Sequence, residues 1–78
     1  MKHELKCWPE FFSALLQGIK RFDVRKDDRK FMIGDMLDLR EWDPETKEYT
    51  GRRQEWRITY ILRDFPGIQP GYVVLSLQ

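Results

Sequence analysis

The sequence predicts an α+β domain, a small, partly closed β-barrel of about five strands with one N-terminal helix. A chain of 78 residues suffices for one domain with one modest core, so residues 1–78 are expected to fold as a single unit. Apolar residues recur at helical spacing in one stretch, whereas alternation with a period of two recurs through the rest. One helix cannot cover a broad flat sheet, and curling the sheet toward closure removes its exposed edges.

The chain begins with a short strand and the single helix. The segment HELK alternates apolar and polar residues, as a half-buried strand does. In the next segment, WPEFFSALLQG, Pro9 suits the first helical turn, apolar residues recur at helical spacing, and Gly18 can end the helix. We therefore predict a helix near residues 9–18 and no second helix of about ten or more residues after Lys20.

The next two strands are predicted from alternation. Within residues 20–26, Phe22 and Val24 alternate with charged residues. This pattern predicts a half-buried strand with the two apolar side chains inside and the charges outside. After a turn, Phe31 and Ile33 resume the alternation, and a Gly-Asp turn leads into MLDLREW. We expect a second core strand there.

A long hairpin and a closing strand complete the predicted sheet. The polar connection DPETKEYTG leads into RRQEWRITYIL, so these segments are expected to form the hairpin. One face of the second segment is predicted to carry the apolar residues Trp56, Ile58, Tyr60 and Leu62. RDFPGIQPG contains two Pro-Gly steps and predicts a loop. YVVLSLQ is apolar and rich in β-branched residues, which favours a last strand.

Most of the aromatic side chains are predicted to pack in the core, namely Trp8, Phe11, Phe12, Phe22, Phe31, Trp56 and Tyr60. Four others lie in or beside predicted loops: Trp42, Tyr49, Phe65 and Tyr72. A ring in such a position can stack on a base, as in proteins that bind single-stranded nucleic acids. It can equally hold its own loop together, so both interpretations stay open.

The composition narrows the class of protein. One cysteine, Cys7, excludes an internal disulfide and suits a reducing compartment, so we expect a cytoplasmic protein. We also expect a monomer. No apolar run approaches the ~18 residues of a membrane span, and the N-terminus lacks a signal-peptide core, so no membrane association is expected. His3 and Cys7 are the only soft metal ligands, whereas a structural zinc site needs about four. The sequence also has no glycine-rich phosphate loop. We therefore expect neither a metal nor a cofactor.

Charge is concentrated in the eleven positions from Lys20 to Lys30, which carry six cations and three carboxylates in a chain of net charge +1. This stretch is either a solvated strand face or a surface that holds an anion. Lys20 follows the end of the helix, where a cleft between helix and barrel is expected. Asp23 shares a strand face with Arg25 and is expected to orient it toward a planar anion or base. Arg29 and Lys30 would extend the positive rim along a nucleic-acid backbone.

An ordered set of residues carries a resemblance to a known family. The set is a G-x-K at the helix end, an alternating strand ending in Arg, and a Gly-Asp after a short loop: Gly18, Lys20, Arg25, Gly34 and Asp35. With HELK and EYTGR, it resembles the small bacterial and phage branch of the ASCH family, within the PUA-like superfamily, over essentially the entire chain. The resemblance implies a small β-barrel with an N-terminal helix, a cleft between them, and RNA or a modified nucleoside as the ligand.

The same resemblance includes an enzymatic type. One ASCH-like relative is an amidohydrolase on N4-acetylcytidine, and it uses the Lys of the motif, a Thr in the next strand and a later Glu. Lys20 matches that Lys, whereas the Thr position is Asp23. The Glu has no clear counterpart, and Glu41 or Glu55 would be a guess, so only Lys20 is carried over.

Three functions follow as hypotheses. The leading one is a nucleic-acid-binding module, for RNA, in which Lys20, Arg25 and Arg29 contact phosphate or base and an aromatic ring stacks a base. The second is a small amidohydrolase on a modified nucleoside such as N4-acetylcytidine, with Lys20 as base or nucleophile. The third is a protein-interaction domain that uses the polar hairpin from Trp42 to Arg53. The sequence does not identify the ligand or any sequence preference.

Overall fold

The computed structural model describes all 78 residues, with five strands and one helix. In chain order the elements are β1 (Lys2–Cys7), α1 (Pro9–Leu16), β2 (Phe22–Lys26), β3 (Met36–Asp43), β4 (Glu48–Leu62) and β5 (Tyr72–Leu77). The strands form one mixed sheet in the order β1-β3-β4-β5-β2. Strands β1 and β3 run parallel, and the other three neighbouring pairs are antiparallel. The predicted α+β class, the five strands and the single helix are confirmed.

The predicted partly closed barrel is not confirmed, because the sheet is open and β1 and β2 are its two edges. Side chains alone join these edges. Arg25 donates from Nη2 to the Lys6 carbonyl at 2.8 Å, and Arg29 donates from Nη1 to the Glu4 carbonyl at 3.3 Å. Guanidinium groups occupy the space between the edges, so the two backbones do not approach to the ~4.8 Å of a ladder. The gap that remains becomes a cleft.

Helix α1 ends as its sequence predicts. Pro9 occupies the first helical position, and Gly18 adopts a φ of +74° just beyond the helix end. Gly18 N donates to the Leu15 carbonyl and Ile19 N donates to the Ala14 carbonyl, both at 3.1 Å. This pair of bonds is a Schellman motif, which requires a left-handed residue and so favours glycine. The molecule contains no helix with the length and hydrophobicity required to span a bilayer.

The core lies between α1 and one face of the sheet. Its eleven side chains are Cys7, Phe12, Leu15, Phe31, Leu37, Leu39, Trp56, Ile58, Val73, Leu75 and Leu77. Phe12 of the helix meets Trp56 of β4 edge to face, with 5.9 Å between ring centroids. Burial of these apolar groups supplies the main driving force for folding.

The predicted orientation of β2 is inverted. Phe22 and Val24 are 48% and 52% exposed, whereas Asp23 between them is 8% exposed. In the β2–β5 ladder, Asp23 pairs with the fully buried Leu75, so it faces inward with that residue. Alternation identifies which residues share a face, but not which face is covered by the rest of the fold.

Several predicted core positions are exposed. Trp8, Phe11 and Tyr60 are exposed, and so is Ile33, since residues 31–33 form no strand. For Tyr60 the cause is an irregularity in the β4–β5 ladder between Ile58 and Tyr60, which breaks the alternation. Of the predicted aromatic core, only Phe12, Phe31 and Trp56 are buried.

Candidate functional site

A cleft of about 430 Å³ opens between the two sheet edges, where the end of β1 and the start of α1 face β2. We call it the edge cleft. Its walls are chiefly the rings of Trp8, Phe11 and Phe22. Its charged groups are Lys6, Lys20, Asp23 and Arg25. A concave, mainly apolar site with a few convergent polar groups is typical of a ligand pocket.

The aromatic wall consists of exposed rings on both sides of the cleft. Trp8 and Phe11 are stacked, with centroids 6.2 Å apart and planes inclined by 17°. Phe22 stands on the opposite edge, because the inward turn of Asp23 directs its strand neighbours outward. These rings present apolar surface that no part of the chain covers.

The polar part of the cleft is organised by one buried carboxylate. Asp23 Oδ2 accepts from Arg25 Nε at 2.6 Å, and Asp23 Oδ1 lies 3.5 Å from Lys20 Nζ. Lys20 Nζ also donates to the Phe22 carbonyl at 2.7 Å. The same ammonium lies 5.5 Å from the ring centroid of Phe11 and 4.9 Å from that of Phe22, within the range of cation–π attraction. The pairing of Asp23 with Arg25 that the sequence predicts is therefore present.

Arg25 is held in one pose yet keeps donors free. Its Nε is bound by Asp23, and one hydrogen of Nη2 is bound by the Lys6 carbonyl. A guanidinium has five N–H donors in a rigid fork, so about three remain for a ligand. Its orientation is fixed before any ligand arrives, which lowers the entropic cost of binding.

The structure does not bring all the predicted basic residues together. Lys20, Asp23 and Arg25 meet in the edge cleft. Arg29 lies farther along the gap, with its guanidinium Nε 4.0 Å from Asp28. Lys30 is exposed in the loop with a φ of +51° and has no ion pair or side-chain hydrogen bond. Of the predicted basic residues, Lys20 and Arg25 thus lie in the edge cleft, Arg29 connects the two sheet edges, and Lys30 is a solvated loop residue.

Cys7 lines the edge cleft, but its thiol is not activated for reaction. Burial raises the pKa of its thiol to about 11, and the nearby Asp23 carboxylate acts in the same direction. The thiol is therefore protonated at neutral pH, whereas a reactive cysteine must be a thiolate.

The Gly-Asp pair of the sequence motif has a structural role outside the cleft. Asp35 Oδ2 lies 2.9 Å from His3 Nε2 and accepts from Met32 N at 3.1 Å. Its other oxygen accepts from the amino group of Met1 at 3.0 Å. The hydrogen bond to His3 is the largest of the contacts that lower the pKa of Asp35 to about 2. Asp35 thereby ties β1 to the loop before β3.

The sequence interpretation missed Trp8 and Phe11 as site residues because it placed them in the core. A usable signal was present in the helix itself. Phe12 and Leu15 form the buried face of α1, whereas Phe11 lies on another side. A short surface helix with apolar residues beyond one stripe exposes some of them, and such exposed rings mark a binding surface.

Sequence comparison identifies a relative in a phage and a matching family model. It is 44% identical over 59 residues to the "Uncharacterized 12.9 kDa protein in GpA 3'region" of Escherichia phage P2. The matched part is 76% of this chain and 52% of that protein, so the chain spans about half the length of its relative. The model of the family described as "Domain of unknown function (DUF3850)" matches residues 2–77. The chain therefore belongs to the DUF3850 family.

Proposed function

We propose that this protein binds single-stranded RNA and takes one unpaired base into the edge cleft. The observation that carries the proposal is the presence, in one cleft, of exposed rings on both walls and an oriented Lys20–Asp23–Arg25 group between them. Single-stranded RNA is recognised by stacking of splayed bases on aromatic or guanidinium planes, together with hydrogen bonds to base edges.

The chemistry of each wall supports this ligand. The stacked pair of Trp8 and Phe11 offers a flat apolar surface, and Phe22 offers a second one across the gap. Stacking tolerates any base, because every base has a π-face, and it contributes about 1–3 kcal/mol per base. The free donors of Arg25 would then read an acceptor on the base or on its phosphate.

The location of charge and the sequence resemblance add support. Two of the six cations of the eleven-residue stretch, Lys20 and Arg25, converge on the cleft. The resemblance to the ASCH family and its PUA-like barrel implies RNA or a modified nucleoside as ligand. The single buried thiol needs no oxidising compartment, so we also propose a cytoplasmic location.

The amidohydrolase alternative is less well supported by the contacts. A lysine that acts as a base or nucleophile needs a free amine. Here Lys20 Nζ donates to a backbone carbonyl and faces Asp23, which occupies the position of the relative's threonine. The interaction hypothesis based on the hairpin from Trp42 to Arg53 rests on the exposure of residues 45–53 alone.

Fluorescence anisotropy with a labelled pool of random short RNAs tests the proposal. We expect Phe22→Ala to weaken binding about tenfold or more, because it removes one stacking wall. The matched control is Phe65→Ala, which removes an equally exposed ring in the loop after β4. Lys20→Gln is compared with Arg57→Gln, which removes the same charge from an exposed strand position outside the cleft.

Equal losses from a cleft variant and its control would refute a role for the cleft. So would the absence of any binding at low salt. Circular dichroism melting curves on each variant separate lost binding from lost folding.

A further inference from the structure

A second hollow of about 360 Å³ adjoins the edge cleft on the side of Arg29. We call it the arginine groove. Four of its seven lining residues are cations, and a single carboxylate lies among them: the charged set is Lys6, Arg25, Arg29, Arg40 and Glu4. Lys6 and Arg25 line both the groove and the edge cleft, so the two hollows are adjacent.

The arginines of this groove are each paired with a carboxylate, whereas Lys6 is not. The carboxylate of Glu4 is bound by Arg40 Nη2 at 3.1 Å. Arg29 Nε lies 4.0 Å from an exposed carboxylate, and its Nη1 donates to a backbone carbonyl. Lys6 has no carboxylate partner, and its ammonium lies 4.3 Å from the ring centroid of Trp42. An anion would supply the counter-charge that Lys6 lacks.

Two of the four cations of the groove are also held in place by hydrogen bonds. Arg25 and Arg29 both reach from the β2 side to carbonyls of β1, so their guanidinium planes cross the gap between the edges. Planar forks held in this way match the oxygens of a phosphate better than a flexible ammonium does. A base in the edge cleft would lie beside them, because Arg25 belongs to both hollows.

We propose that the arginine groove binds a phosphate group attached to the nucleoside whose base fills the edge cleft. The ligand is then a nucleoside phosphate, either free or as one unit of a strand, and not an unphosphorylated nucleoside. Lys6, Arg29 and Arg40 become ligand contacts, and two of these, Lys6 and Arg40, lie outside the basic stretch of the sequence. This inference rests on the proposed function for the base, whereas the phosphate site stands on the groove's own charge.

Amide NMR titrations of the intact protein test base binding in the edge cleft and phosphate binding in the arginine groove separately. The probes are the four ribonucleosides, their 3′- and 5′-monophosphates, pyrophosphate, and a labelled tetraribonucleotide. We expect at least one monophosphate to bind about tenfold tighter than its nucleoside, with shifts spreading from β2 to Lys6 and Arg29. A tetraribonucleotide that binds more tightly than the mononucleotide identifies the ligand as a strand, and equal affinities identify a free nucleotide.

Two substitutions test whether the arginine groove is responsible for phosphate binding. Lys6→Gln should remove most of the phosphate's contribution, measured as the ratio of monophosphate affinity to nucleoside affinity, and should leave the fold intact, since Lys6 has no ion pair to disrupt. Arg57→Gln removes the same charge from β4, which lies two strands away from Lys6, and at a position four residues farther along that strand. This distance exceeds the Debye length of about 10 Å at 0.1 M salt, so Arg57→Gln should change neither phosphate binding nor nucleoside binding.

Each outcome has a distinct meaning. Nucleosides that bind with no gain from phosphate would overturn the groove and leave the cleft intact. Pyrophosphate that binds in a Lys6-dependent way while no nucleoside binds would support the groove and refute the base site. Equal losses from Lys6→Gln and Arg57→Gln would show general attraction by net charge, which also overturns the inference.

Discussion

Asp23 is the residue on which the candidate site depends. Its carboxylate is buried, yet it contacts Lys20 from one side and Arg25 from the other. A buried charge is tolerated when it is paired and hydrogen-bonded, and Asp23 meets both conditions. The same contacts position two cations at the wall of the edge cleft, so the fold and the proposed site share these atoms.

Asp23 also bears on the amidohydrolase alternative, because it stands where the amidohydrolase that the sequence resembles has a threonine. We expect no release of acetate from N4-acetylcytidine by the purified protein. The measurement is an acetate assay on the wild type and on Lys20→Met, with melting temperatures for both. Robust hydrolysis that disappears in Lys20→Met without a change in melting temperature would make the enzyme hypothesis the better one.

A second carboxylate, that of Asp35, predicts how the stability of the fold depends on pH under acidic conditions. The pKa of Asp35 is lowered to about 2, chiefly by its hydrogen bond to His3, whereas in an unfolded chain it is about 3.9. The folded state therefore gains stability from this group above about pH 4, and loses it as the pH falls toward 2. We expect Asp35→Asn to be less stable than wild type at pH 5, with a difference that shrinks between about pH 4 and 2.

Urea unfolding of both proteins at several pH values between 5 and 2 measures this difference. Asp64→Asn is the control, because Asp64 is exposed in a loop and has no ion pair. A difference that stays constant across the range would show that Asp35 does not titrate below its usual value.

At the scale of elements, the end of α1 determines where the site's lysine lies. Gly18 closes the helix in a left-handed conformation, and Lys20 follows two residues later at the junction with β2. Lys20 N also donates to the Ala14 carbonyl at 3.2 Å, so the backbone of Lys20 is tied to the helix end. The cleft wall on α1 and the polar group on β2 are thus linked by one turn.

Gly18→Ala tests this link. Nothing lies within 4 Å of an added Cβ, so the cost is conformational, about 1 kcal/mol from the positive φ. We expect that loss in urea unfolding, together with amide shifts at Lys20 and in β2. Gln17→Ala is the control, since Gln17 has a right-handed helical φ of −79°. No loss of stability in Gly18→Ala would mean that the helix end readjusts freely.

The whole molecule is almost neutral, so any polyanion site must depend on local charge. The net charge is +1, yet the arginine groove gathers four cations around one carboxylate. Two arginines outside the groove are paired with buried carboxylates of the fold. Arg52 donates to both oxygens of the buried Glu41, at 2.9 and 2.7 Å, and Arg53 donates to the buried Asp38. Arg52 is therefore a structural residue and unsuitable as a neutral control in binding studies.

Salt dependence measures how many phosphates the local surface engages. If a single strand contacts it with about four phosphates, the logarithm of the binding constant should fall against the logarithm of salt with a slope of roughly −3, about a 60-fold loss from 50 to 200 mM. Anisotropy titrations at several salt concentrations give the slope. Arg29→Gln should make it shallower by about 0.7, whereas Arg57→Gln should not. A slope near zero would contradict phosphate binding.

Local patterns in the sequence determined a large part of this protein. The single helix, its glycine end, the five strands and the pairing of Asp23 with Arg25 all follow from spacing within a few residues. Such features are predictable because helix and strand periods are set by backbone geometry, and a pair two residues apart on a strand shares a face in any fold.

Only the tertiary structure decided which face of β2 is buried, which strands are neighbours, and what lies across the open gap. Phe22 faces the cleft because Asp23 pairs with Leu75, more than fifty positions away in the chain. Lys6 and Arg25 meet because β1 and β2 are the two free edges of one sheet. Such contacts depend on the burial of the whole core, and no local period contains that information.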